Sequence, residues 1–117
     1  MNDNKQQASR RFGGVARLYG NSALENFQKA HIIIIGIGGV GSWVVEALAR
    51  NAVGKLTLID MDVVAESNIN RQLPALGSTL GRNKIDVMEQ RVKDINPDSE
   101  VSLIDDFISQ DNIQELI

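Results

Sequence analysis

The chemistry this sequence could do is concentrated in a glycine-rich turn and in a few charged residues downstream of it. The run Gly36-Ile37-Gly38-Gly39-Val40-Gly41-Ser42 follows directly on a stretch of isoleucines. In a G-x-G-x-x-G turn one glycine allows the tight bend, one lets phosphate approach the backbone, and one lets the next helix pack close to the strand. Backbone amides at the start of that helix, aided by its dipole, then face an anion. Gly36, Gly38, Gly39 and Gly41 are therefore candidate nucleotide-binding residues. Asp60 follows at about the twenty-residue distance where a carboxylate can accept hydrogen bonds from both ribose hydroxyls.

Loop and acid alone suit NAD as well as ATP. The connection after Asp60 separates them, because it carries Ser67, Asn68 and Arg71, with Lys84 at the start of the next helical pattern. A redox cofactor needs little more than a helix terminus for its pyrophosphate, whereas attack on an α-phosphate builds charge that cations must neutralise. ATP-dependent adenylation is the first expectation, with Arg71 and Lys84 as catalytic candidates and Asn68 as a phosphate contact. An NAD-dependent oxidoreductase is the second, although no hydride-transfer partner stands out. A non-catalytic dimerisation or docking module is the third.

The elements that must position these residues read as α/β. His31 to Ile35 is a β-branched apolar run suited to a strand buried on both faces, and Lys55 to Ile59 is a second that delivers Asp60. Between them Val44, Val45 and Leu48 recur at helical spacing, which completes a strand, glycine turn, helix, strand unit with parallel neighbours. Residues 61–80 form a long connection. Arg82 to Asn96 is helical, with Ile85, Met88, Val92 and Ile95 on one face and Pro97 as its stop. Val101 to Ile104 is a third strand, and Ser109 or Asp111 an N-cap for a short last helix. Residues 1–7 are expected to fray, and Arg11 to Lys29 to form short helices with a turn among Gly13, Gly14 and Gly20. The reading is thus a Rossmann-like three-layer αβα fold with a mainly parallel sheet that stops after about three strands. A helical arm of residues 1–29 precedes the nucleotide-binding part at 30–117.

Composition narrows the rest. The 117 residues contain no cysteine, so neither a disulfide framework nor a thiolate zinc site nor a cysteine nucleophile can be built from them. A net charge of -3 argues against a surface that grips nucleic acid throughout, although Lys5, Arg10, Arg11 and Arg17 form a local basic cluster. The longest purely apolar run is far too short to span a bilayer, so a cytoplasmic protein without membrane contact is expected. His31 is expected as a partly exposed strand residue, Trp43 as helix packing and Met88 as core.

Taken together, G-I-G-G-V-G-S, L-I-D-M-D, S-N-I-N-R and G-R-N-K resemble the ThiF-like superfamily of ubiquitin-activating and sulfur-carrier-activating enzymes, over about residues 11 to 96. The front segment Arg11 to Gly20 is similar to a bacterial branch that modifies tRNA. The resemblance implies that Gly38, Gly39 and Gly41 cradle phosphate, that Asp60 holds the ribose, and that Asn68, Arg71 and Lys84 contact the triphosphate. It makes Arg17 an arginine finger supplied across a homodimer, with Arg11 the other candidate, and leaves Asp62 either orienting Arg71 or capping the loop. The implied reaction activates the carboxylate of a threonylcarbamoyl group on a tRNA adenosine with ATP, after which a nitrogen of the same side chain closes a ring. Activation of a ubiquitin-like sulfur carrier is the alternative within the family, and a sulfur-acceptor protein an implied partner. The family places a Mg2+-binding aspartate after the next strand, beyond residue 117, so these residues alone are expected to bind nucleotide poorly and to turn over little or nothing, and no metal ligand is assigned among them.

Overall fold

A computed structural model describes residues 3–117, in the order α1 (Asp3–Tyr19), α2 (Asn21–Lys29), β1 (His31–Ile35), α3 (Gly41–Arg50), β2 (Lys55–Ile59), α4 (Lys84–Ile95), β3 (Glu100–Ile104) and α5 (Ile113–Leu116). Two 3-10 turns, Glu66–Asn68 and Gly77–Thr79, lie in the connection between β2 and α4. Met1, Asn2 and the side chains of residues 3–7, Lys5 among them, lie outside the described residues.

The three strands are parallel in the order β1-β2-β3, with His31 opposite Lys55 and Lys55 opposite Glu100. Because side chains alternate along a strand, Ile32, Ile34, Leu56, Leu58, Val101 and Leu103 share one face of the sheet. Val45 and Ala49 of α3 and Ile85, Met88 and Val92 of α4 pack onto that face and close the core. Right-handed crossovers between strands that step in one direction put both helices on the same side, and α3 and α4 accordingly touch. This is the expected α/β Rossmann-like fold, and it brings the C-terminal ends of β1 and β2 together beneath the glycine loop.

Two boundaries differ from the sequence reading for local reasons. Helix α4 starts at Lys84 and not Arg82, because Val63 forms an antiparallel bridge with Asn83, and Val64 N–H donates to the Arg82 carbonyl, holding 82–83 extended. The last helix follows Asn112 and neither Ser109 nor Asp111. Asn112 accepts from Ser109 N–H at 2.7 Å and donates to the Phe107 carbonyl at 2.6 Å, which folds 107–112 into a turn.

The N-terminal arm is more regular than expected. Helix α1 begins at Asp3, inside the segment expected to fray, and runs through Gly13 and Gly14. The Arg17 guanidinium lies over both, with its nitrogens 3.3 and 3.6 Å from where their β-carbons would stand. The break comes at Gly20, whose φ of 96° no helix can accommodate. Phe12 is buried, and Arg11 Nη1 donates to the carbonyls of Asp94 and Ile95 at 2.9 Å each, placing a cation on the negative C-terminal end of α4.

A charged cluster ties α3 to α4. Glu46, largely buried, accepts from Arg50 Nε at 2.7 Å and from Arg91 Nε and Nη2 at 2.6 and 3.0 Å. The Arg91 hydrogen bond, more than that of Arg50, holds the Glu46 carboxyl below the usual carboxylate range against the opposing effect of burial. Since the folded carboxyl is the stronger acid, this stabilisation is complete above the unfolded value and fades as pH falls through the lower folded one. Glu46→Gln should cost about 1–3 kcal/mol in urea unfolding at neutral pH, and the gap from wild type should narrow once acid has protonated Glu46. An unchanged urea midpoint at neutral pH would show the cluster to be inert.

Candidate functional site

The glycine turn is built by two constraints internal to the chain. Gly36 adopts φ 88°, and a β-carbon on Gly41 would stand 1.8 Å from the Gly36 carbonyl oxygen, so α3 starts in contact with the end of β1. Gly38 and Gly39 are under no such constraint. A β-carbon there would meet only side chains at ordinary distance, Gln72 at 3.8 Å and Arg71 at 3.7 Å respectively. The fold does not need bare backbone at these two positions, which leaves it open to a ligand.

Asp60 pins this turn to the end of β2. One carboxylate oxygen accepts from Ile37 N–H at 2.6 Å and the other from Asp62 N–H at 2.7 Å. Each oxygen keeps a further acceptor site, so the ribose role expected for Asp60 is compatible with its task of holding the loop. Ser42 donates to the Gly38 carbonyl and accepts from Leu73 N–H at 3.2 Å, which fastens the turn to the connection.

The connection folds back over the turn. Arg71 lays its Cγ, Cδ and Nε across Gly39 and commits Nη1 to the Ser67 carbonyl at 3.0 Å and Asn70 Oδ1 at 3.1 Å. Trp43 is half exposed and donates from its indole to the Arg71 carbonyl at 3.0 Å. It holds the connection in place and does not fill the core, contrary to the packing role expected of it. Asn68 is buried and spends Oδ1 on Ala65 N–H at 2.9 Å, capping the first 3-10 turn and leaving its side-chain amide as the group able to donate elsewhere. Lys84 is buried at 6% exposure, with its ammonium 3.9 Å from Asp62 Oδ2. Asp62 thus faces Lys84, where the sequence suggested Arg71 or the loop.

Beside Asp60 lies a cavity of about 160 Å³ lined in part by Ile35, Ile59, Met61, Phe107 and Ile108. An apolar slot next to the Asp60 carboxylate has the chemistry to take a purine. Sequence reasoning missed it, because Phe107 and Ile108 lie beyond β3 and only the parallel register of β1, β2 and β3 brings them alongside Gly36. Arg17 is not brought to the turn: its guanidinium rests on Gly13 and Gly14 of its own helix. Among the described residues no group of three or more His, Asp or Glu is placed to hold a metal ion. His31 is exposed and pairs through Nε2 with Thr57 Oγ1 at 2.7 Å, and Met88 is fully buried, both as expected.

The model of the ThiF family matches residues 10–117. The chain belongs to the ThiF family. Among the curated relatives of this ThiF-family chain, a tRNA threonylcarbamoyladenosine dehydratase of Haemophilus influenzae is 59% identical over 110 residues, which are 94% of the chain and 41% of the relative. The protein of the same name from Escherichia coli is 53% identical over 105 residues, 90% of the chain and 39% of the relative. The chain thus spans about two fifths of the length of these relatives. Among solved structures, the E. coli dehydratase in complex with ATP superimposes with a TM-score of 0.91 at 52% identity, over 92% of this chain and 44% of that one. Among the described residues no helix of this ThiF-family chain is long and apolar enough to cross a membrane.

Proposed function

We propose that this chain is the ATP-binding part of an enzyme that activates a carboxylate by adenylation, and that the carboxylate belongs to threonylcarbamoyladenosine in tRNA. The bare backbone of Gly38 and Gly39, with Arg71 across Gly39, carries this reading, since it offers amides and a cation to a polyphosphate where the fold itself requires neither. The names of the relatives supply the substrate class, and the ATP complex of the E. coli dehydratase supports the nucleotide. In the proposed sequence a carboxylate oxygen attacks the α-phosphorus, the bond to pyrophosphate breaks and pyrophosphate leaves. A nitrogen of the same side chain then attacks the activated carbonyl, the bond to AMP breaks and the ring closes, a net loss of water. Because nucleophile and electrophile are tethered, the protein need only align them and neutralise charge.

In this reading Gly36, Gly38, Gly39 and Gly41 form the phosphate turn and Asp60 takes the ribose. Asn68, Arg71 and Lys84 lie along the triphosphate, with Arg71 and Lys84 opposing the charge that builds in the transition state. Residues 1–29 act as an arm that carries Arg17 to the active site of a second copy in a homodimer, and residues 30–117 bind the nucleotide. Mg2+ accompanies ATP in this scheme, but the described residues supply no ligand cluster for it, and no step is assigned to it. A sulfur-acceptor partner rests on the resemblance alone, and a cytoplasmic location suits a tRNA substrate.

ATP and NAD are distinguished by thermal denaturation of the purified protein. At about a hundred times its Kd, ATP should stabilise the fold by about 2.7 kcal/mol, a shift of several degrees, while NAD at the same concentration shifts it little. An equal or larger shift with NAD would replace the adenylation reading with the oxidoreductase one, and no shift with either would favour the non-catalytic module.

A further inference from the structure

At the end of α3 remote from the glycine turn, a surface cleft of about 430 Å³ opens between α1, α3 and α4, and Arg11, Arg50 and Arg91 line it. Helix α3 runs from Gly41 at the turn to Arg50 at the cleft, about 15 Å, so the cleft is no part of the nucleotide site. Two carboxylates share the place, Glu46 behind Arg50 and Arg91, and Asp94 in the lining. Three guanidiniums against two carboxylates leave a positive excess in a chain whose net charge is -3. Glu46 is already spent, because it is 11% exposed and both its oxygens accept from the arginines beside it. Each guanidinium carries five N–H groups. Arg50 uses Nε, Arg91 uses Nε and Nη2, and Arg11 uses Nη1, and among the described residues their other nitrogens have no protein acceptor.

Tying α3 to α4 needs only the forked pair of Arg91 with Glu46. Arg50 adds a solvent-screened bond at 57% exposure, and Arg11 meets no carboxylate, yet both bring positive charge to the same cleft. An anion would relieve that repulsion. The C-terminal ends of α3 and α4 would by themselves disfavour one, but Arg11 covers the last carbonyls of α4, and the Asn51 amide donates to the Ala47 carbonyl of α3 at 2.8 Å. Guanidinium forks match pairs of phosphate oxygens, and a surface cleft between helices lets a polymer chain pass. Phe12, the aromatic residue of the lining, is 4% exposed and offers no apolar anchor of the kind that centres a protein interface. We propose that this cleft holds a backbone phosphate of the RNA substrate, away from the nucleoside that reacts at the turn. The proposal rests on the tRNA reading above and adds to it a place where the RNA is held.

The test titrates a fluorescein-labelled, unmodified RNA hairpin with the purified protein at several salt concentrations, for the wild type, Arg50→Gln, Arg11→Gln and Arg50→Lys. Each glutamine variant should bind about 10-fold more weakly and lower the slope of log K against log salt by about 0.7 to 0.9, the loss of one phosphate contact. Arg50→Lys keeps the charge and should stay within about threefold of wild type with the same slope. The thermal shift with ATP should be unchanged in all three, since they stand a helix length from the turn. RNA affinity and slope unchanged in both glutamine variants would overturn the proposal, as would equal losses in Arg50→Lys and Arg50→Gln, which would trace the effect to the geometry around Glu46. Should Arg11→Gln fail to fold for want of its bonds to α4, the exposed Arg50 decides the matter alone. A poly-aspartate peptide that displaces the hairpin as well as unlabelled RNA of equal charge would make the cleft a contact for acidic protein and overturn the proposal too. A wild type that ignores RNA removes the cleft, while an ATP shift still upholds the nucleotide reading; arginine-dependent RNA binding without an ATP shift does the reverse.

Discussion

Gly41→Ala should remove the fold, whereas Gly39→Ala, two positions away, should remove only nucleotide binding. The new methyl of Gly41→Ala would stand 1.8 Å from the Gly36 carbonyl oxygen and 2.9 Å from its carbon. These are backbone atoms of a turn held by the Gly36 N–H bond to Ile59, 2.9 Å long, and no side-chain rotation relieves the overlap. Either β1 or α3 must move, and both carry the core through Ile34 and Val45. A cost of about 4 kcal/mol or more is a large part of a small domain's stability, so the melting temperature should fall by well over about 10 °C, or the protein should fail to accumulate. In Gly39→Ala the methyl meets Arg71 Cγ at 3.7 Å, ordinary contact, so unfolding should match wild type within about 0.5 kcal/mol. ATP affinity should nonetheless fall about 10- to 100-fold, because the methyl stands where phosphate must meet the backbone. Unfolding curves and ATP titrations of both variants check this. A well-folded Gly41→Ala that still binds ATP would show that the turn is looser than its contacts indicate, and wild-type ATP affinity in Gly39→Ala would remove the phosphate from this turn.

That contrast also shows what could be read in the sequence and what could not. The glycine pattern revealed a turn between strand and helix, and β1 and β2 fall where runs of β-branched and apolar residues put them. The division of labour among the glycines was hidden, because it depends on which β-carbon meets backbone and which meets only side chain. Helix α1 was misread at Gly13 and Gly14 since local propensity counts two glycines against a helix, while the Arg17 side chain that covers them enters no propensity scale. Trp43 looked like packing because an aromatic residue on an amphipathic helix usually is. Its bond to the Arg71 carbonyl spans 28 positions and depends on how an aperiodic connection folds.

Removing the charge of Lys84 should have opposite effects on binding and stability. Lys84 is the first residue of α4, where the helix dipole disfavours a cation, and it is 6% exposed, so it has lost most of its hydration. Among the described residues its one anionic neighbour, Asp62 Oδ2, is 3.9 Å away on a side chain that is 69% exposed, too far and too wet to offset both penalties. A structural lysine this buried would be expected to form a close pair, and at 3.9 Å this one does not. Its position is explained if an anion completes the site, and Asp62 and Asp60 connect it to the glycine turn through the 2.7 Å bond from Asp62 N–H. Lys84→Met keeps the aliphatic stem and removes the ammonium, so unliganded stability should hold or rise slightly. ATP affinity should drop about 10- to 100-fold, and adenylation in the protein carrying its full catalytic apparatus about 100- to 1,000-fold, the scale for losing one preorganised charge at a transition state. Adenosine affinity should not change, because in the proposed site the charge faces phosphate and not the base. Arg71→Ala should show the same selectivity with little effect on stability, since its side chain is exposed. If Lys84→Met instead destabilised the free protein and left ATP binding intact, Lys84 would be a partner for Asp62 alone, and the charge on the phosphate would have to be met elsewhere.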